Sequence, residues 1–142
     1  MENEVKNANN ILDTFKLIIG AIAFISLIVG GIGIMNIMLV TVKERTREIG
    51  IRKACGAKDM HIFGQFLCEA LIFSVAGGFL GVLAAIGLTR LAQDYIGLEY
   101  MFSRDAAIVS VIISAVLGIC FGLFPAARAS KMDTVEALRT SN

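Results

Sequence analysis

LIIGAIAFISLIVGGIGIMNIMLVTV, residues 17–42, decides the class of fold, because no charged side chain interrupts it from Leu17 to Val42. As a helix rising about 1.5 Å per residue it reaches roughly 39 Å, which exceeds the ~30 Å hydrocarbon core of a bilayer, so it must tilt or protrude. Two further uncharged runs follow, Ala70 to Thr89 and Ala106 to Phe124, each long enough to cross. The whole chain of 142 residues is 56% apolar and only 18% charged, with a mean hydropathy of +0.76, too oily for a soluble domain of this size. The expected fold is therefore an all-α membrane protein with three transmembrane helices at about 17–42, 66–89 and 106–124.

The net charge is only +1, but the charges are grouped. Lys43, Arg45, Arg47, Arg52, Lys53 and Lys58 crowd the loop after the first span, and Arg128, Lys131 and Arg139 follow the third. The opposite side carries Lys6, Lys16, Arg90 and Arg104. Nine against four places the 43–59 loop and the 125–142 tail in the cytoplasm, N-terminus out and C-terminus in.

Residues 1–16 are polar, yet Val5, Ala8, Leu12 and Phe15 recur at spacings of three and four that run on to Ile19. That pattern reads either as a helical extension rising out of the membrane with a face that expects a partner or as a frayed polar terminus, and four positions do not decide between them. The apolar run behind it is too long for a signal-peptide core and lacks an A-x-A site, so no cleaved signal is expected. Within the spans, Ser110, Ser114, Gly118 and Gly122 repeat every four residues, and Gly77, Gly81 and Ala85 do the same in the second span. Such small faces let helix backbones approach closely where lipid gives no hydrophobic drive for association. Asn36 is either an amide bonding across helices or one facing water near the helix end.

The loop KERTREIGIRKACGAKDM, residues 43–60, is more than a connector. Positive charge beside a span is explained by topology and by anionic headgroups. Topology leaves Glu44, Glu48, Ile49, Ile51 and the glycines unexplained. Glu48 precedes Arg52 by four, the favourable order on a helix, Gly56 suits a left-handed C-cap, and Asp59 can cap the next helix. The expectation is a short helix, a break near Gly50 or Gly56, and a surface that docks a cytoplasmic protein. Glu69 falls roughly 10 Å beyond the point where the second span begins at Ile62, and it should face Arg or Lys at the base of the first span rather than lipid.

Catalytic constellations are missing. There is one histidine, His61, in the turn, no phosphate-binding G-x-x-x-x-G-K-[ST], no H-E-x-x-H, and no intramembrane carboxylate pair. Cys55, Cys68 and Cys120 have neither disulfide-framework nor metal spacing and read as apolar filler. The chain is not expected to be an enzyme or to hydrolyse ATP alone.

Three blocks carry a family resemblance: ISLIVGGIGIMNIMLVTVKERTREIGIRKACGAK (25–58), QFLCEALIFSVAGGFLG (65–81) and FPAARASKMDTVEALR (124–139). Together they resemble the C-terminal permease region of MacB-type ABC transporters, within the FtsX-like permease superfamily, from about Ile11 to Arg139. The resemblance implies helices two to four of a four-helix permease, behind an extracytoplasmic stalk stub at 1–16, in a bacterial inner membrane. The ATPase, the first membrane helix and the extracytoplasmic domain would be absent, as in a fragment, a split permease or a remnant. It further implies a cytoplasmic coupling helix at Glu44 to Ala57, with Arg47, Glu48, Gly50, Arg52, Lys53 and Gly56 most characteristic, and an acid at Glu69. Thr134 departs from the proline usual after Asp133, which affects only the local turn of the tail. Implied partners are an ABC ATPase subunit or domain, a second permease copy in a homodimer, the bilayer and, in Gram-negative members, a periplasmic adaptor and outer-membrane channel. Nucleic acid is not among them. No cofactor is bound by this chain, with ATP on the partner. The implied activity is efflux driven by mechanotransmission. The alternatives are a relay to a cell-wall hydrolase, lipoprotein release or a nonfunctional remnant.

Overall fold

A computed structural model of the chain describes residues 2–96, 103–134 and 137. It has four helices in the order α1 (Glu2–Glu44), α2 (Thr46–Ala54), α3 (Asp59–Ile96) and α4 (Arg104–Ser130), and no strand among the described residues. The stretches Glu4–Glu44, Asp59–Asp94 and Arg104–Ser130 are each long and apolar enough to cross a membrane. The chain is thus the all-α, three-span protein that its apolar runs dictate. The loop around Glu99 and the tail beyond Ala137 lie outside the described residues.

Each boundary has a local cause. Of the two break points expected, Gly50 or Gly56, the helix breaks at Gly56, while Gly50 is buried inside α2; a further interruption falls earlier, at Arg45. The Thr46 hydroxyl lies 3.1 Å from the Val42 carbonyl and 2.7 Å from that of Lys43. A side chain that bonds back to the preceding turn in this way competes with the regular helix and bends it. α2 ends where Gly56 takes φ +92°, a left-handed conformation that costs glycine little. Asp59 opens α3, but its carboxylate pairs with Lys53 at 2.9 Å instead of capping the helix. The α4 start is capped by Ser103, whose side chain accepts from the Ala106 N–H at 3.3 Å, with Asp105 in the first turn. Near its other end α4 runs through Pro125, which lacks the N–H that would bond the Phe121 carbonyl.

α3 and α4 pack against each other most extensively. Ser114, Gly118 and Gly122 of α4 meet Gly78, Ser74 and Ala70 of α3 in antiparallel order. A Cβ added at Gly118 would collide with Ser74, and one at Gly122 with Ala70. The contact is sealed by the Ser114 hydroxyl donating to the Ser74 carbonyl at 2.6 Å. The expected stripe on α3 is therefore displaced by one helical position. Nothing lies within 4 Å of a Cβ added at Gly77 or Gly81. Two small-residue rows run side by side on α3, and the row 70–74–78 is the one that faces the α4 row. Ser110 is exposed and bonds its own helix, at the Ala106 carbonyl. Gly77 and Gly81 instead line an open groove toward Ser26, Gly30 and Gly31 of α1.

α1 joins the pair at one end only. Gly31 meets the Phe121 ring, and below it Met38 and Val42 are buried. From Glu4 to Gly30 every side chain is exposed.

Candidate functional site

Among the described residues the buried core cluster is assembled at the basic end. It takes Met38 and Val42 from α1, Ile49 from α2, Ile62, Phe66 and Ala70 from α3, and Ala126 and Ala129 from α4. All four helices contribute, so burial of apolar surface there fixes α2 relative to the spans. Phe66 and Val42 are each 2% exposed and Met38 1%.

Polar braces surround that core. Arg45, at the α1–α2 turn, reaches Glu69 on α3 with Nη1 3.1 Å from Oε1. Gln65, one turn before Glu69, donates to the same carboxylate oxygen at 3.4 Å and accepts from Arg52 Nη1 at 2.6 Å. Arg52 also lies 3.9 Å from Glu48, four residues earlier on α2. The result is a chain of contacts, Arg45–Glu69–Gln65–Arg52, that stitches both ends of α2 to one face of α3. An acid placed past the start of an apolar span is costly unless it is partnered, and Arg45 is the partner.

On the opposite side Lys53 performs the same task toward α4. Its side chain is only 11% exposed, and Nζ donates to the Met132 carbonyl at 2.8 Å while pairing with Asp59 at 2.9 Å. The bond to Met132 satisfies a carbonyl just past the C-terminus of α4, where helix carbonyls lack intrahelical partners. α2 is therefore held to α3 through two arginines and through Lys53 to Asp59, and to the segment just after α4 through the same lysine.

The outward face is different. Glu44, Arg47 and Cys55 are exposed, Ile51 is 45% exposed, and neither Glu44 nor Arg47 has an ion-pair partner among the described residues. Beside α2, an open pocket of about 780 Å³ is lined by Thr46, Phe124, Arg128, Lys131, Met132 and Asp133. Charge of both signs and apolar surface are thus presented together at this end. No metal-binding cluster occurs among the described residues, and Asn36 is exposed with no hydrogen bond to another helix. The arrangement is a short helix braced against the helices around it.

Of the residues singled out from sequence, Arg52, Lys53 and Glu69 converge in the brace, Gly50 is buried in α2, Gly56 makes the turn, and Glu44, Arg47 and Glu48 face outward. Sequence reading passed over Gln65, the bridging amide, and did not single out Arg45 from its basic neighbours. An amide four residues before a membrane-entering acid is the only local signal for Gln65.

Comparison with known proteins is consistent along the chain. The FtsX-like permease C-terminal family model matches residues 20–134. A macrolide export ATP-binding/permease protein MacB from Bdellovibrio bacteriovorus is 48% identical over 131 residues, covering 92% of this chain and 20% of the relative. An uncharacterized ABC transporter permease, YvrN, from Bacillus subtilis is 50% identical over 136 residues, covering 96% of this chain and 32% of the relative. The MacB of Agrobacterium fabrum is 46% identical over 129 residues, covering 88% of this chain. The chain spans between about a fifth and a third of the length of these relatives. With four-fifths of its length in the matched region and its braced helix between the first two spans, the chain belongs to the FtsX-like permease family, among ABC transporter permeases.

Proposed function

We propose that this chain is the membrane-embedded transmitter of an ABC-type exporter of the MacB kind, working as a homodimer in a bacterial inner membrane with its basic end in the cytoplasm. ATP binds and is hydrolysed on a partner ATPase. α2 is the coupling helix: its outer face, with Glu44, Arg47 and Ile51, docks on that ATPase, and its inner face passes displacement to α3 and α4. The observation that carries this reading is the double brace, because a helix tied to α3 by Arg45 and Arg52 and to the segment leaving α4 by Lys53 passes a push on to both spans. Lipid-soluble compounds fit as cargo, since two of the similar proteins are named for macrolide export.

The docking role is tested by charge reversal. Arg47→Glu and Glu44→Lys, both on the outer face, should each abolish co-purification with the cognate ATPase while membrane insertion persists. Unchanged co-purification for both removes α2 as the docking element. Orientation is tested with a reporter active only outside the cytoplasm. Fused near Glu99 it should be active and fused after Asn142 silent; the reverse pattern inverts the assignment.

A further inference from the structure

We propose that the pocket between the end of α4 and the α1–α2 turn binds one anionic phospholipid, with Arg128 and Lys131 on its phosphate and its acyl chains along an exposed apolar track of α4. The inference goes beyond the transmitter reading and needs no ATPase, since it rests only on the chain being embedded in a membrane. The pocket, about 780 Å³, falls within the ~300–1,000 Å³ usual for small-molecule sites. Thr46 lines it from the turn, and Phe124, Arg128 and Lys131 line it from α4.

Arg128 and Lys131 differ from the other cations at the basic end. Arg45, Arg52 and Lys53 are spent on Glu69, Gln65, Asp59 and the Met132 carbonyl. The side chains of Arg128 and Lys131 are exposed and have no ion-pair or hydrogen-bond partner among the described residues. Lys43, Arg47 and Lys58 are exposed as well, but they do not line this pocket. Three positions apart on a helix, Arg128 and Lys131 share one face. Together they suit a phosphate diester, the guanidinium through its planar fork and the ammonium as a point charge. Asp133 also lines the pocket, but it has an interaction of its own and the two cations outnumber it. The negative end of α4 is offset too, because the Lys131 N–H bonds the Ala127 carbonyl and Lys53 bonds that of Met132.

The surface above the two cations makes the ligand a lipid. Ile113, Val116, Cys120 and Phe124 succeed one another at spacings of three and four, and the same spacing leads on to Arg128 and Lys131. All six are exposed, Val116 by 52% and Phe124 by 57%. The first four belong to the uncharged run that ends at Phe124, so they stand in hydrocarbon, where a soluble ATPase does not reach. Arg128 lies about 6 Å beyond Phe124 along the helix and Lys131 about 10 Å. The headgroup layer is about 5–8 Å deep on each side, which puts Arg128 at phosphate level and lets Lys131 reach back to it on its long stem. Basic pockets at this depth recognise anionic headgroups. A lipid held there touches both α4 and the turn that starts α2.

The test reconstitutes the full chain in phosphatidylcholine nanodiscs with a trace of phosphatidylglycerol that carries a photoreactive group on one acyl chain. Irradiation should label the stretch 113–124, read by peptide mass spectrometry, and unlabelled phosphatidylglycerol should compete about five- to tenfold better than added phosphatidylcholine. Arg128→Gln combined with Lys131→Gln should lower the labelling about five- to tenfold, and Arg128→Lys should lower it less. Lys43→Gln combined with Lys58→Gln removes the same charge from the same end and should change it less than about twofold. Equal loss in the two double variants, or none in the first, means diffuse attraction and overturns the site. Labelling confined to α1 or α3, or absent because a protein covers the track, overturns the lipid as occupant. Competition by inorganic phosphate as efficient as that by phosphatidylglycerol makes free phosphate the ligand and overturns it too. Loss of ATPase co-purification in the Arg128 and Lys131 double variant with labelling unchanged assigns the pocket to the ATPase instead.

Discussion

The two ends of α1 are built in opposite ways. At its basic end Met38 and Val42 are buried among residues from three other helices, and the turn that follows is pinned by Arg45. From Glu4 to Gly30 every side chain of the same helix is exposed, although Leu17 to Gly30 is no less apolar than the buried end. Hydropathy therefore does not predict packing in this chain, since lipid satisfies an apolar side chain as well as another helix does. What distinguishes the packed end is a glycine, Gly31, that admits the Phe121 ring, and polar groups that have found partners. The first lets backbones close; the second makes separation costly.

The largest effect should come from filling the close contact. Gly118→Leu forces its side chain into Ser74 and should destabilise the α3–α4 pair by about 1–3 kcal/mol, read as a lower unfolding temperature in detergent. Gly77→Leu, on the open side of α3, should change that temperature little, and an equal loss at both positions would break the distinction between the two small rows. Next is Lys53→Met, which strips the Met132 carbonyl and Asp59 of their partner at a site only 11% exposed. A cost of about 1–3 kcal/mol and faster proteolysis after α4 are expected.

Glu69→Gln should cost less, about 0–1 kcal/mol, because Arg45 is 45% exposed and its charge remains hydrated. Its sharper readout is looser coupling, seen as hydrogen exchange rising at α2 while α1 is unchanged. Smallest is Arg47→Glu, which should leave stability within about 0.5 kcal/mol because the side chain is exposed and unpaired, even as ATPase binding is lost.

The spans were legible because uncharged length is a one-dimensional property, and the row Ser114–Gly118–Gly122 was legible because its interval of four needs only one helix. Its partner row was not. Ala70, Ser74 and Gly78 look less like a motif than Gly77, Gly81 and Ala85, and which row faces α4 depends on the rotation of α3. The break at Arg45 was hidden for a similar reason: no glycine or proline marks it, and the Thr46 hydroxyl that bends the chain is an ordinary residue in a helical stretch. Gln65 joins the brace only because α2 folds back onto α3, which brings Arg52 and Gln65 together across 13 positions.

The account turns on α2 moving with α3 and α4 as one body. Spin labels on Cys55 of α2 and Cys120 of α4, with Cys68 replaced by serine, report that distance directly in the assembled transporter. One narrow distribution, unchanged between the nucleotide-free and vanadate-trapped states and broadened by Lys53→Met, is the predicted result. A distance that shifts on trapping in the otherwise unaltered protein would mean that α2 slides over the spans instead of carrying them, and would contradict the account.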